Sequence, residues 1–535
     1  MIKLLHLWFV FLIFSSAVSA KEYYVSTAGN DQNPGTLSNP FRTINKGVSI
    51  LKPGDILYVR TGTYVEEIYN GQSGTEKSPI TIMAYPGESP IIDGEKRLPA
   101  STLGSLVMIE GNYVYLSGFE VRNSNGMAVV LLGHHDKASK IKAHHAWENG
   151  VLVGGDYGII EDCQVWQCDL SNSKNPGHPA AGYWSTGISA ARSPVDGITT
   201  NAILRRNIVY NNWGEGLSSF EAEGTLIEDN IVYDNWSVNL YLSDTRGALV
   251  QRNIVYNTPN NIVGQRRPFT LGDEKANKPR SANNTIINNF IYNADLWAFW
   301  STGVPGSGLD NVLIAYNTIV NGQLEIGALS YDQVHNKSGI IRNNIFSNNN
   351  GEPWEIKGSL SNLTFSNNLW SALPPNGITG AGDVIGDPQL AKSSNTGAGQ
   401  LTADYFKLLE SSPAINRGIA ISSVSEDFFG NTRDASPDIG GNEYNAHVTG
   451  IDSTTIDTNH QEPVTVTVIQ SRITIRFNNN ESFNSISLYN MLGTLVFNHS
   501  LTSSEYSTDV SFLTPGVYII VLSGELVQKK FKVMI

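Results

Sequence analysis

Residues 203–267 read ILRRNIVYNNWGEGLSSFEAEGTLIEDNIVYDNWSVNLYLSDTRGALVQRNIVYNTPNNIVGQRR. NIVY begins at Asn207, Asn230 and Asn253, giving two equal intervals of 23 residues. Short β-branched runs parted by Gly, Asn and Asp at a fixed period of this size mark one coil of a parallel β-solenoid. The stretch is therefore read as three rungs of a right-handed parallel β-helix, an all-β fold. Residues one period apart should then sit above each other at about 4.8 Å. Trp213 falls under Trp236, Ser218 under Tyr241, Glu221 under Asp244 and then Arg267, and Glu223 under Arg246. Stacked carboxylates repel, and a fold keeps them only with a cation, a shared proton or a guanidinium beside them. That column is the expected seat of the chemistry.

Composition sets the outer limits. The chain has 535 residues, only 16% of them charged, and 50 glycines, which suits a turn-rich β protein better than a helical one. A solenoid grows by adding rungs, so length does not count domains here. A net charge of −13 argues against a nucleic-acid partner, but leaves room for an acidic glycan if cations gather in one groove. The two cysteines, Cys163 and Cys168, form no disulfide framework and could be one local bridge or two buried thiols. The opening MIKLLHLWFVFLIFSSAVSA carries Lys3, an apolar run and a small-residue end, and reads as a secretory signal peptide over residues 1–20.

From Lys21 a strand, a Gly/Asn/Asp/Pro loop, a short amphipathic helix near residues 41–51 and a strand at 56–60 form the expected cap of the solenoid, about residues 21–60. The wording YYVS, NPF and GDILYVRTGTY resembles the start of bacterial secreted β-helix proteins with polysaccharide lyase relatives. That resemblance implies the fold and, more loosely, an enzyme acting on polysaccharide. The β-helix is expected to run to residue 444, with 411–444 closing it. Asn207, Asn230, Asn253, Asn289, Asn317, Asn344 and Asn368 are expected to stack as an asparagine ladder in one turn. Two stretches exceed a standard coil, one between Cys163 and Gly187 and one after Arg267 (PFTLGDEKANKPRSANN). Insertions in a solenoid emerge on one face and wall a groove.

Residues 445–465 are polar and aperiodic and read as a linker. The alternating strands of 466–535 suit a small β-sandwich. SLYNMLGTLVF, LTPGVYIIVL and the KKFKVMI run resemble the sorting domain of the type IX secretion system. This resemblance implies that the type IX machinery is a partner and that the chain is exported to the cell surface or beyond. The protein is expected to work as a monomer.

For the site, Glu221, Asp244, Arg267, Arg246 and His145 are the catalytic candidates, and a tentative Ca²⁺ would be held by Glu221, Glu223 and Asp244. Hard oxygen ligands suit calcium, and a cation beside a base lowers its pKa. Trp184, Trp213, Trp236 and Trp297 offer aromatic faces to sugar rings. With Trp147, the first three could form a ladder. Tyr241 and Glu215 complete the expected binding surface, with Arg192 and Arg266 as bidentate partners for carboxylate or sulfate. Three chemistries stay open: β-elimination by a lyase on a uronate-containing, sulfated or algal polysaccharide, hydrolysis by paired carboxylates, and glycan binding without catalysis. The paired-Asp and GHG signature of β-helix polygalacturonases is missing, as is the DPHE motif of alginate epimerases.

Overall fold

The structure is a computed structural model. It describes residues 20–180, 182, 184–191, 197–259, 268–274, 281–301, 304, 307–328, 336–348 and 351–444, then the strands and adjoining turns within 464–534. The chain divides into two compact units, Met1–Ala446 and His447–Ile535. The signal-peptide reading falls on residues outside this description.

In the first unit, three parallel sheets of thirteen, eleven and thirteen strands run side by side. Each rung lays one strand in each sheet. Ile203–Arg205 goes to the first sheet, Glu215–Phe220 to the second and Ile208–Tyr210 to the third. The NIVY repeats are in the register the period predicts, with Ile208, Ile231 and Ile254 in line and Tyr210, Tyr233 and Tyr256 in line. Val209, Val232, Val255 and Ile291 point inward and are wholly buried. Each such side chain contributes roughly 1.5–3 kcal/mol from burial, so the core is a column of β-branched layers.

The bend between the first and third sheets combines a residue of positive φ with the ladder asparagine that follows it. Arg206, Asp229, Arg252 and Asn288 have φ between 53° and 58°. Each ladder side chain donates to the next: Asn207 to Asn230 (3.0 Å), Asn230 to Asn253 (2.9 Å), Asn253 to Asn289 (2.9 Å), and onward through Asn317 and Asn344 to Asn368. Their oxygens also accept backbone N–H groups of the preceding rung, so buried polar atoms at the bend are paired. A second, shorter ladder joins Asn212, Asn235, Asn239 and Asn257.

At the N-terminal end the helix Ile44–Val48 is capped by Thr43, whose hydroxyl accepts from the Lys46 N–H at 3.2 Å, and it buries Ile44 and Val48. Cys163 and Cys168 are free and buried, and burial pushes both thiols up to about 12. Two expectations need correction. The stretch 269–273 is no insertion but the rung strand Phe269–Asp273, paired with Leu240–Ser243. The closing segment does not plug an end of the solenoid. Residues 390–439 lie outside the sheets: Leu390, Leu401, Phe406 and Ile439 cover Tyr233, Tyr256 and Phe290 of the third sheet, and Val424 packs on Ile287 and Ala315 of the first. The Phe406 and Phe290 rings stack at 4.4 Å.

The second unit has a three-stranded and a four-stranded antiparallel sheet. Ile473 and Ile475 of one share a core with Ile486, Leu488, Ile520 and Leu522 of the other, forming a small β domain.

Candidate functional site

The outer face of the second sheet carries a cleft of about 530 Å³ lined by Trp184, Thr186, Ser189, Glu215, Ser218, Phe220 and Glu274, among others. Sequence order places these side chains simply. Inward residues Ile188, Leu217 and Leu242 alternate with outward Ser189, Ser218 and Tyr241, the period-two alternation of a strand. The insertion after Cys168 turns through the short helix Leu170–Ser173 and brings Trp184 over the cleft edge. There the Trp184 ring rests on Trp236, centroids 4.8 Å apart and planes at 44°. The two indoles meet across the inserted loop and not as rungs of the four-Trp ladder the spacing suggested. Trp213 stays beside the second asparagine ladder, its carbonyl accepting from Asn172.

Among the described residues, two acids face the cleft. Glu215, at the start of its strand and paired in register with Thr186, is recessed. Burial, with Glu274 and Asp169 nearby, raises its pKa to about 8, while the Ser218 hydroxyl pulls it back. Glu274 follows the strand Phe269–Asp273 and is held from two sides. Tyr241 donates its phenol proton to Oε1 at 2.6 Å, and the Glu274 backbone N–H donates to Asp244 Oδ2 at 3.1 Å. Burial and Glu274 push the Tyr241 phenol well above its ordinary range. Behind Glu215, Asp169 accepts from the Ser171 hydroxyl (2.6 Å) and the Ser185 N–H (3.2 Å), and burial raises it to about 7. Glu148, bonded to the Ser185 hydroxyl, is raised by burial too.

The expected column exists, with a changed third member. Phe220 pairs with Ser243 and Ser243 with Gly272, so Glu221, Asp244 and Asp273 follow one another on three rungs. Position 273 takes the place read for Arg267, because the rung between Asp244 and Asp273 is six residues longer than the period. All three acids are almost wholly buried and set behind the cleft, not in its lining. Glu221 and Asp244 turn the chain at φ 49° and 47°. Asp244 thus acts on the cleft through the Glu274 backbone.

Other candidates separate. Arg246 pairs with Glu223 at 2.6 Å, both side chains nearly half exposed, away from the cleft lining. Glu223 is therefore engaged elsewhere, and among the described residues no three carboxylate, imidazole or thiolate groups converge to hold a metal ion. The Ca²⁺ trio of Glu221, Glu223 and Asp244 does not form, and these residues do not fit the ion. His145 lies beyond the third-sheet strand Lys142–His144, its Nδ1 2.7 Å from that of His144, which stacks on Trp166. It is not at the cleft. Trp297 follows Tyr241 and Thr270 in the same outward row. Among the described residues its indole N–H and the Thr270 hydroxyl are buried without a hydrogen-bond partner. Arg192, Arg266 and Arg267 lie outside the described residues. Sequence reading missed Glu274, Asp169 and Glu148. The signal for Glu274 was the apolar FTL run at 269–271, which marks a rung strand just before it.

Comparisons agree with this architecture. Residues 23–249 match the Pel9A-like, right handed beta helix region, and residues 469–535 match the secretion system C-terminal sorting domain. Pectate lyase PEL9 of Emericella nidulans is 40% identical over 228 residues, covering 40% of this chain and 53% of that protein. The chain spans about half the length of the curated relatives it matches. Among solved structures, pectate lyase Pel9A superposes with a TM-score of 0.52 at 19% identity, over 80% of this chain and 98% of that one. XylC in complex with xylose gives 0.51 at 13%, over 79% and 98%; at these identities both show the fold alone. Residues 23–249 are thus similar to a Pel9A-like right-handed β-helix region and residues 469–535 to a secretion-system C-terminal sorting domain.

Proposed function

We propose that this is an exported enzyme that cleaves a uronate-containing polysaccharide by β-elimination, delivered by the type IX secretion machinery. The observation that carries this reading is the placement of two carboxyl groups, Glu215 and Glu274, in one cleft on the β-helix face, where burial raises the Glu215 pKa to about 8. It lies within the residues that match the Pel9A-like region, and the similarity to a pectate lyase supports the substrate class. A uronate whose carboxylate accepts a hydrogen bond from neutral Glu215 is partly neutralised, and the proton on its C5 becomes easier to remove. Glu274, fixed by Tyr241 and Asp244, faces the same space and can accept that proton. The C5–H electrons form the C4–C5 double bond, and the C4–O electrons leave with the departing sugar oxygen. Arg192, Arg266 and Arg267 remain the cations that the sequence nominates for carboxylate or sulfate groups.

A second reading has its own support. Glu215 with a raised pKa opposite Glu274 is also the acid and base, or acid and nucleophile, arrangement of a glycoside hydrolase. Incubation with polygalacturonate, alginate and sulfated algal glycans separates the two. Ultraviolet absorbance of an unsaturated product together with new reducing ends supports elimination. Reducing ends alone would transfer the chemistry to hydrolysis, and neither signal would remove the enzyme reading.

A further inference from the structure

The register of the second sheet links two cavities. Its outward row runs Tyr69, Met108, Val130, Leu152, Ser189, Ser218. Ser189 and Ser218 line the cleft, whereas Tyr69 and Met108 line a separate depression of about 440 Å³ with Glu67, Pro99, Ser101 and Glu110. Five inter-strand steps of about 4.8 Å set Tyr69 and Ser218 roughly 24 Å apart along the helix axis, and three steps, roughly 14 Å, part the facing edges Met108 and Ser189.

Tyr69 is 55% exposed, an unusual state for a large ring in the middle of a strand. It is nevertheless held in place, since its hydroxyl donates to Glu110 Oε2 at 2.7 Å. A tethered aromatic face loses little freedom when a ligand stacks on it. From Met108 at the edge of the depression the row continues through Val130 and Leu152, both apolar, with Val130 only 3% exposed between its neighbours.

We propose that the depression at Tyr69 is a distal carbohydrate subsite, occupied by a remote part of the same polysaccharide chain whose reacting bond lies in the cleft. The proposal rests on the polysaccharide-cleaving reading. Its occupant follows from continuity. A glycan lying along the outward row reaches both cavities, its C–H face on the Tyr69 ring and its hydroxyls within range of Glu67, Ser101 and Glu110. An oligosaccharide confined to the cleft is too short to reach it.

The test compares Tyr69→Ala and Tyr69→Phe with the unchanged protein on polygalacturonate and on its trisaccharide. Loss of the ring should weaken retardation by the polymer in affinity electrophoresis about three- to tenfold. KM for the polymer should rise by the same factor, with kcat/KM for the trisaccharide unchanged and Tyr69→Phe, which keeps the ring and loses its tether to Glu110, between parent and Tyr69→Ala. Equal retardation of Tyr69→Ala and parent overturns the subsite, as does an equal loss on the trisaccharide. A parent that binds the polymer without cleaving it would sink the enzyme reading alone, because the electrophoresis still decides Tyr69. A parent that does not bind at all overturns both.

Discussion

Tyr241 donates to Glu274 Oε1 at 2.6 Å while the Glu274 backbone N–H donates to Asp244 Oδ2 at 3.1 Å, so one cleft acid is fixed by residues of the neighbouring rung. Tyr241→Phe removes the hydroxyl that donates to Glu274 Oε1. We expect kcat to fall about ten- to a hundredfold through misplacement of that carboxylate, with KM little changed. Steady-state kinetics on the preferred polymer measure both; an unaltered kcat would remove Glu274 from the reaction.

Glu215 fixes the pH response. Its folded pKa is raised from 4.5 to about 8, chiefly by burial. The folded chain then keeps a proton that the unfolded chain releases first, so this contribution to stability is full below about 4.5 and is lost as pH rises to about 8. Asp169, raised from 3.8 to about 7, acts in the same direction over a lower window. Glu215→Gln should flatten the fall of Tm with pH below about 8, and should abolish an alkaline limb of kcat/KM near that value. A limb unchanged in the variant would assign it to another group.

The asparagine ladder is a test of the fold alone. Asn230→Ala removes the acceptor of both the Asn207 N–H and the Asn207 side-chain amide, at 2.9 and 3.0 Å. Two buried donors without partners cost roughly 1–3 kcal/mol each. Urea unfolding should show a loss of about 2–5 kcal/mol.

Arg246 and Glu223 give the opposite forecast. Their pair is about half exposed, and surface pairs contribute less than about 1 kcal/mol. Arg246→Ala should leave both cleavage rate and Tm nearly unchanged. A large loss of activity would return this arginine to the reaction.

Much of the fold was legible in the sequence. The 23-residue spacing of NIVY, the ladder asparagines and the helix at Ile44–Val48 are local signals, and local periodicity fixes which residues face inward. Equal spacing also placed Glu221 over Asp244 correctly. The column's next member was read as Arg267 because equal spacing cannot see a longer rung. Only hydrogen bonding between Leu240–Ser243 and Phe269–Asp273 puts Asp273 there and delivers Glu274 to the cleft.

Depth was the other unknown. Stacking along the axis is a one-dimensional property, which a repeat encodes. Access to solvent depends on which distant segments lie over a given rung. The sequence by itself therefore determined the solenoid and its ladders. Tertiary structure decided that Glu221 and Asp244 are buried supports, that Arg246 neutralises Glu223 at the surface, and that Glu215 and Glu274 are the acids that line the cleft. The physical reason is that a carboxylate's pKa and reach are set by the water removed around it and the charges brought near it, and both come from chain segments far away in sequence.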